Sequence, residues 1–519
     1  MKHIQKIKLK NFRRFKSFEV TFDKTLNMLI GDNEAGKSSI LNAIDLVLSA
    51  SRSKTETIGL ESLFNHEVVE EFLNSSKRYK DLPELFIEIY LSEQNNPDLN
   101  GKNNSDNIIC DGLFMKCSPI DELSKEIKEI LSQEEPCFPF EYYSITFKTF
   151  SDQSVTGYSK FLKHISIDNA HISNEYATRE YIKNMYSSYA LDTEKNKHKN
   201  EYRKHKEAFK RSALTDLNSR FDGYAFGIRN NSKANLETDL TLTEADINIE
   251  NKGKGRQCFI KTEFALNRSS GKIDVILLEE PENHLSHVNM KKIVGKILDA
   301  GEKQLFITTH NSLISSRLDL RKAILINSNS TNVSRLNFLS EDTAKFFMKA
   351  PDNNVNEFIL SKKVILVEGD AEFILLESFF KKVTTRDPHY FDIHIISIGG
   401  TSFKRYLELA KTLNVKTAVI RDNDGDYQKN CVERYSEYAS DLIKIFGDSD
   451  NNRSTFEICL YLENQTLCEE LFAVSRRTLS VQDYMLHNKA DVAFDLLDKK
   501  ESSLHVPQYI KNAIEWIKQ

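Results

Sequence analysis

The sequence predicts an α/β protein: a phosphate-binding-loop domain carrying a helical insertion, followed by a C-terminal domain built on a parallel sheet. Three observations predict it. Gly31-Asp32-Asn33-Glu34-Ala35-Gly36-Lys37-Ser38 fills every fixed position of G-x-x-x-x-G-K-[ST]. An apolar run, Ile273 to Leu278, ends on Glu279-Glu280. From Lys363 onward, short apolar runs alternate with helical patterns, which indicates parallel strands joined by crossover helices.

Length and composition bound the rest. At 519 residues the chain exceeds one ordinary core, and at about 100 to 200 residues per domain three or so units are expected. With 40% hydrophobic and 28% charged residues it reads as soluble and globular. No apolar run approaches the roughly 20 residues that span a bilayer, and MKHIQKIKLK lacks the apolar core of a signal peptide. A cytoplasmic protein without membrane contact is expected. The seven cysteines are scattered and never form C-x-x-C, so free thiols fit better than disulfides or zinc. The net charge of −5 shows no global excess of positive charge, although a local basic stripe or metal-bridged phosphates would suffice for nucleic acid.

The first domain opens with a strand over IQKIKLKNF and a second over Phe18 to Phe22. Arg13 and Arg14 are either nucleotide contacts or solvated strand-end charges. Leu26 to Ile30 has strand character and the stretch from Ser38 has helical spacing, the context that the phosphate loop needs. Backbone N–H groups around Asn33 and Gly36 would face phosphate at a helix N-terminus. Lys37 would reach the β/γ-phosphates, the Ser38 hydroxyl would ligate Mg2+ and Ser39 would border the nucleotide. Strands are expected at Leu85 to Tyr90 and Glu141 to Phe150. Ile172 to Arg220 reads as helical and locally very basic through Lys195, Lys197, Lys199, Arg203, Lys204, Lys206, Lys210 and Arg211. It is a nucleic-acid contact, a dimerisation arm or a solvated face.

Asn251-Lys-Gly-Lys-Gly-Arg-Gln257 precedes an apolar helix, so Gly253 and Gly255 can present N–H groups to phosphate. A carboxylate at the end of a core strand is where such enzymes hold Mg2+, and a second beside it orients the attacking water. This assigns Glu279 to the metal and Glu280 to catalysis. The strand Gln304 to Thr309 ends on His310, placed to contact the γ-phosphate.

GDNEAGKS, GKGRQ, VILLEEPENHL and FITTHN together resemble the ABC-type ATPases of the SMC, RecF and OLD (overcoming-lysogenization-defect) group. The resemblance implies that ATP binds, and that Gly253 and Gly255 complete the nucleotide site of a second subunit. The Leu-Ser-Gly-Gly signature and the long coiled coil of SMC proteins are missing, and both departures favour the OLD branch.

Beyond the boundary expected within or just after Asn327 to Pro351, strands are expected at Lys363 to Val367, Asp392 to Ile398 and Lys416 to Ile420. Glu368 and Asp422 end two of them. Glu372 lies one helical turn beyond Glu368, and D-x-D spacing lets Asp424 join Asp422. Carboxylates this close would repel unless divalent cations neutralised them, and oxygen-only ligands suit Mg2+ or Mn2+. Two such ions about 4 Å apart are the usual device for cutting a phosphodiester. Asp426 is a further ligand or a turn residue.

VEGDAE, IGG and DNDGD resemble the Toprim domain, a Rossmann-like parallel sheet, of topoisomerases, primases and OLD nucleases. The resemblance implies catalytic and metal-binding roles for Glu368, Glu372, Asp422 and Asp424. It also implies a further acid, best matched by Glu463 with Glu469 second, and a downstream lysine, best matched by Lys489. It divides the chain into an ATPase domain over 1–350, with a helical insertion and dimerisation arm at 172–222, and a Toprim nuclease domain over 356–519. The expected protein is a metal-dependent DNA endonuclease governed by ATP and working as a homodimer or higher oligomer. By the same resemblance it serves bacterial or phage-related defence, with a helicase-like or reverse-transcriptase partner in some family members. The competing expectation is a RecF-like repair ATPase whose Toprim-like domain binds DNA without cutting. A topoisomerase or primase is disfavoured, since no cleaving-domain tyrosine, zinc module or polymerase module is evident.

Overall fold

The computed structural model describes residues 1–156, 161–168, 175–220, 224–229, 231, 235–266, 273–327, 333–350, 354–400, 402–473 and 479–519. The two ends of the expected insertion, at 172–174 and 221–222, and part of the expected boundary, at 328–332 and 351, lie outside the described residues. The chain divides into two compact units: residues 1–310 with 324–333, and residues 311–323 with 334–519.

The first unit begins as expected, with β1 (Ile4–Phe12) and β2 (Phe15–Thr21) antiparallel and β3 (Leu26–Gly31) leading into the phosphate loop. β1 continues into an antiparallel sheet with β4 (Leu85–Leu91), β5 (Asn100–Gly101), β6 (Cys110–Pro119) and β7 (Tyr143–Thr149). In β1, Ile4, Ile7, Leu9 and Phe12 are buried while Gln5 and Lys10 face solvent, the alternation of a half-buried strand.

A second sheet takes β3 into its interior. Its partners are β8 (His164–Asp168), β11 (Val275–Glu279), β12 (Gln304–Thr309), β13 (Ala323–Ile326) and β14 (Val333–Arg335), in the order β14-β13-β3-β12-β11-β8. A two-stranded ribbon, β9 (Thr243–Glu244) and β10 (Ile247–Asn248), stands apart. β8, β11, β12 and β3 are parallel, with Glu279 opposite Thr308 and Thr309 opposite Ile30. One edge of the sheet therefore delivers the phosphate loop, Glu279-Glu280 and His310 together. Helix Lys37–Ser49 packs Ile40, Leu41, Ile44 and Val47 into the core of this unit, which fixes the loop ahead of it.

The basic stretch folds as helices Glu175–Tyr189 and Asp192–Ser212. The second buries no residue, and part of its charge is matched: Lys199 pairs with Glu237, Lys206 with Asp239 and Lys204 with Glu201.

The second unit holds a four-stranded parallel sheet in the order β16-β15-β17-β18, from β15 (Lys363–Val367), β16 (Ile393–Ser397), β17 (Lys416–Ile420) and β18 (Ile443–Phe446). All neighbouring pairs are parallel, so Glu368, Gly399-Gly400 and Asp422 leave the sheet at one end. Helices Asp370–Thr384, Phe456–Glu463, Lys489–Lys500 and Gln508–Lys518 pack on it, closing a core of Leu375, Phe379, Ile420, Leu460, Leu496 and Ile514. Trp516 caps this core against Phe446, with Lys416 Nζ 4.7 Å from the ring centre. All seven cysteines are free thiols. Among the described residues no helix is long and apolar enough to cross a membrane.

Candidate functional site

The first candidate site is the phosphate loop. Gly36 adopts φ 94°, open to glycine at no steric cost, and a Cβ there would lie 2.5 Å from the Phe15 ring. Gly31 passes so close to β13 that a Cβ would lie 2.2 Å from the Ile326 carbonyl oxygen. Lys37 is buried and donates to the Gly31 and Asp32 carbonyls at 2.7 and 2.8 Å, closing the loop on itself. Burial lowers its pKa, opposed by Glu280, Asp32, Glu282 and Glu279. Asn33 and Ser38 are exposed and Ser39 is half-buried. Arg14 donates to the Glu34 carbonyl at 2.6 Å and so braces the loop, whereas Arg13 is held at φ 48° in the field of Glu279.

The strand-end acids stand opposite. The Glu280 amide donates to the Thr308 carbonyl at 3.1 Å, and its carboxylate accepts from Asn283 Nδ2 at 2.7 Å. His310 Nδ1 lies 3.6 Å from Glu280 Oε1 and 3.9 Å from Glu282 Oε1. Glu282 is the acid that motif reading passed over. It is buried, accepts from the Thr309 hydroxyl at 2.7 Å and from the His310 amide at 3.2 Å, and keeps Oε2 buried without a partner. Burial raises its pKa. It ties the Glu279-Glu280 loop to the His310 loop; the sequence signal was its place two residues beyond Glu280. Of the two glycines at helix Lys254–Leu266, Gly255 is explained within the chain, since a Cβ would lie 2.2 Å from the His284 carbonyl oxygen. Gly253 has open space beside it.

The second candidate site lies where β15 and β17 end. Asp422 is buried and accepts from the Phe456 amide at 2.7 Å, which docks the start of helix Phe456–Glu463 onto it. That helix brings Glu457, 2% exposed, among the acids. Burial pushes Asp422 up to about 8, helped by Glu372, Glu457 and Glu368. Burial likewise pushes Glu372 up to about 7, and Glu457 and Glu368 add to it. Glu368 is raised by burial against the opposing pull of Arg421, and its Oε2 is buried without a partner. Lys489 forms an ion pair with Glu457 at 3.1 Å. Burial disfavours its ammonium, yet Glu457, Asp422 and Glu372 hold its pKa above the ordinary value. These are the electrostatics of a site with too much negative charge for its protein cations.

The other expected ligands have partners of their own, although Asp424 also helps to raise Glu368. Asp424, at φ 49°, accepts at Oδ2 from Arg421 Nη2 at 3.0 Å. Glu463 pairs with Arg453 at 2.7 Å and Glu469 accepts from the Tyr461 hydroxyl at 2.7 Å. Asp426 caps the following turn, accepting from the Lys429 amide at 3.0 Å. Glu457 was passed over because β18 is short, so the helix that follows it was not anchored in the reading.

Among the described residues no three acidic, histidine or cysteine side chains converge as ligands around one point. The donor set nevertheless fits a hard divalent cation: all oxygen, with one unpartnered Glu368 oxygen and two carboxyls that hold protons near neutrality. Glu368, Glu372, Asp422 and Glu457 would hold it after side-chain rotation.

Comparison with known proteins adds an independent line. Residues 359–424 match the family described as overcoming lysogenization defect protein-like, TOPRIM domain, and residues 6–225 match the AAA domain. The chain is similar to Endonuclease GajA of Bacillus cereus (strain HuB5-5), 23% identical over 91% of this chain and 86% of that protein. It is similar to Old nuclease of Escherichia phage P2, 22% identical over 32% of this chain and 30% of that protein. A shorter stretch is 48% identical to the DNA replication and repair protein RecF of Oenococcus oeni (strain ATCC BAA-331 / PSU-1), over 10% of this chain and 13% of that protein.

Proposed function

Since the chain joins an AAA-type ATPase domain to an OLD-like Toprim domain and so belongs with the overcoming-lysogenization-defect proteins, we propose that it is an ATP-hydrolysing, divalent-metal-dependent DNA endonuclease. The observation that carries the reading is the set of buried carboxylates Glu368, Glu372, Asp422 and Glu457 at the ends of parallel strands, beside Lys489.

In the nucleotide half, backbone N–H groups around Gly36 receive the phosphates at the start of helix Lys37–Ser49. Lys37 would exchange its two loop carbonyls for β/γ-phosphate oxygens, and exposed Ser38 with Glu279 would hold Mg2+. Glu280, oriented by Asn283, positions and deprotonates the attacking water. His310, whose backbone Glu282 fixes, faces the γ-phosphate.

In the acidic half, Glu368, Glu372, Asp422 and Glu457 would hold Mg2+ or Mn2+, which would supply an activated water and a Lewis acid for phosphodiester cleavage. The Phe456 amide orients Asp422, and Lys489 limits the negative charge that DNA phosphate would meet.

The assembly is a homodimer or higher oligomer in which Gly253, with open space beside it, meets a partner's nucleotide. The role is bacterial or phage-related defence, with a helicase-like or reverse-transcriptase partner as one form of it. A RecF-like ATPase that binds DNA without cutting is the second reading, favoured by the local RecF similarity alone. Supercoiled plasmid with Mg2+ or Mn2+ separates them: nicking or linearisation absent from Asp422→Ala supports the nuclease, and DNA binding without cutting in either protein supports the second.

A further inference from the structure

Arg421 stands between β17 and Asp422, where a strand-end position in a parallel sheet would ordinarily be apolar. Its side chain is 1% exposed. Nη2 donates to Asp424 Oδ2 at 3.0 Å and Nη1 to the Tyr435 hydroxyl at 2.6 Å, with the guanidinium 5.6 Å from the Tyr435 ring centre. Nε is buried without a partner. Arg421 is also the largest influence opposing burial at Glu368, so its charge reaches the carboxylate that ends β15. A guanidinium is not deprotonated in proteins, so this is a permanent buried cation inside the acidic site.

From this arrangement we infer that Arg421 takes the place of a second metal ion, and that the acidic site holds one divalent cation rather than two. Asp424 would have to turn away from Arg421 to ligate a metal. That would leave a fully buried guanidinium without its counterion, the arrangement in which breaking a buried pair is most costly. It would also bring a divalent cation against a fixed positive charge in a region of low dielectric. Asp424 also raises Glu368, the acid that Arg421 reaches, and the other acids have a different cation. Glu372, Asp422 and Glu457 influence one another directly and are answered by Lys489; Asp424 is answered by Arg421 and is half-exposed on its other side. Tyr435 holds the guanidinium from the far side, so its position does not depend on Asp424 alone. Arg421 is thus a positioning residue: it fixes Asp424 and limits how many cations the site accepts.

The inference rests on the reading of this site as metal-binding, and ion counting separates the two. The full chain without nucleotide is titrated with Mn2+, with bound ions counted by calorimetry and by loss of the free-ion electron paramagnetic resonance signal. Asp422→Ala provides the background. The expected difference is one ion per chain; a difference of two overturns the inference alone, and a difference of none removes the metal site and the inference with it. Arg421→Met, which keeps an unbranched stem without the charge, is expected to bind a second ion at least tenfold more tightly than the intact chain. A folded Arg421→Met that still binds one ion overturns the role given to Arg421. Where that variant does not fold by circular dichroism, the count on the intact chain decides, and Tyr435→Phe, which keeps the guanidinium, is expected to leave the count at one.

Discussion

The two candidate sites are built in opposite ways. The nucleotide loop is built from backbone, needs glycine at Gly31 and Gly36, and is already satisfied within itself, since Lys37 lies on the Gly31 and Asp32 carbonyls. The acidic site is built from side chains brought from four separate segments, and it is unsatisfied, with a partnerless Glu368 oxygen and two carboxyls that hold protons near neutrality. The difference teaches where each is vulnerable. A loop of this kind fails through its own residues, whereas the acid cluster depends on positive charge to offset it: protons, Lys489, Arg421 or a metal.

The sharpest break of the comparison uses one substitution in each site. Lys37→Ala should lower ATP turnover by about 10²- to 10³-fold, the scale of losing one charge-stabilising donor, while metal-dependent cleavage without ATP persists. Asp422→Ala should lower cleavage by more than about 100-fold, since losing a ligand exceeds the 10- to 100-fold of a supporting residue, with ATP turnover within about twofold. Steady-state phosphate release and plasmid nicking, measured on both variants, check the pair.

Glu280→Gln should reduce hydrolysis by about 10²-fold, the lower end of general-base catalysis, with nucleotide binding kept; fluorescent-nucleotide titration beside turnover measures the split. Within the acid site, Glu457→Gln, which removes a ligand's charge, should weaken Mn2+ binding by more than about 100-fold, beyond the scale of a supporting residue, whereas Glu463→Gln should change it by less than about threefold, because Glu463 is engaged with Arg453 near the helix end. Calorimetry on the two variants ranks the acids directly.

The effect of pH is graded rather than all-or-none. Protons on Asp422 and Glu372, held up to about 8 and about 7, compete with the metal, so Mn2+ affinity should rise from pH 6 to pH 8 by about tenfold for each proton displaced per pH unit. Without metal the sign for stability is opposite. Both carboxyls bind protons more tightly folded than unfolded, so their contribution is greatest below about pH 4 and is lost as pH rises through 7 and 8. Thermal unfolding with and without Mn2+ should therefore diverge as pH rises.

How legible each site was in the sequence follows from the same contrast. The nucleotide loop is contiguous, so eight adjacent residues announced it, and the flanking β3 and helix Lys37–Ser49 formed where the apolar spacing put them. The end-of-strand positions of Glu368 and Asp422 were equally readable, because β15 and β17 are uninterrupted apolar runs. Glu457 was not: β18 is four residues long with Lys444 exposed within it, so nothing marked the next helix as part of the site. β6 was missed because Asp111 and Lys116 interrupt an otherwise apolar run, though Asp111 is buried by bonds from Asn100 and the Gln94 amide. Arg421 was hidden for a further reason: an isolated buried charge has no sequence signature, since its partners, Tyr435 and Asp424, are set only by the fold.

The most direct test of an ATP-governed nuclease is plasmid cleavage as a function of ATP concentration, in the intact chain and in Lys37→Ala, at fixed Mn2+. ATP is expected to change the cleavage rate of the intact chain and to leave that of Lys37→Ala unchanged. Cleavage that ignores ATP in the intact chain, or responds to it equally in Lys37→Ala, would contradict the account.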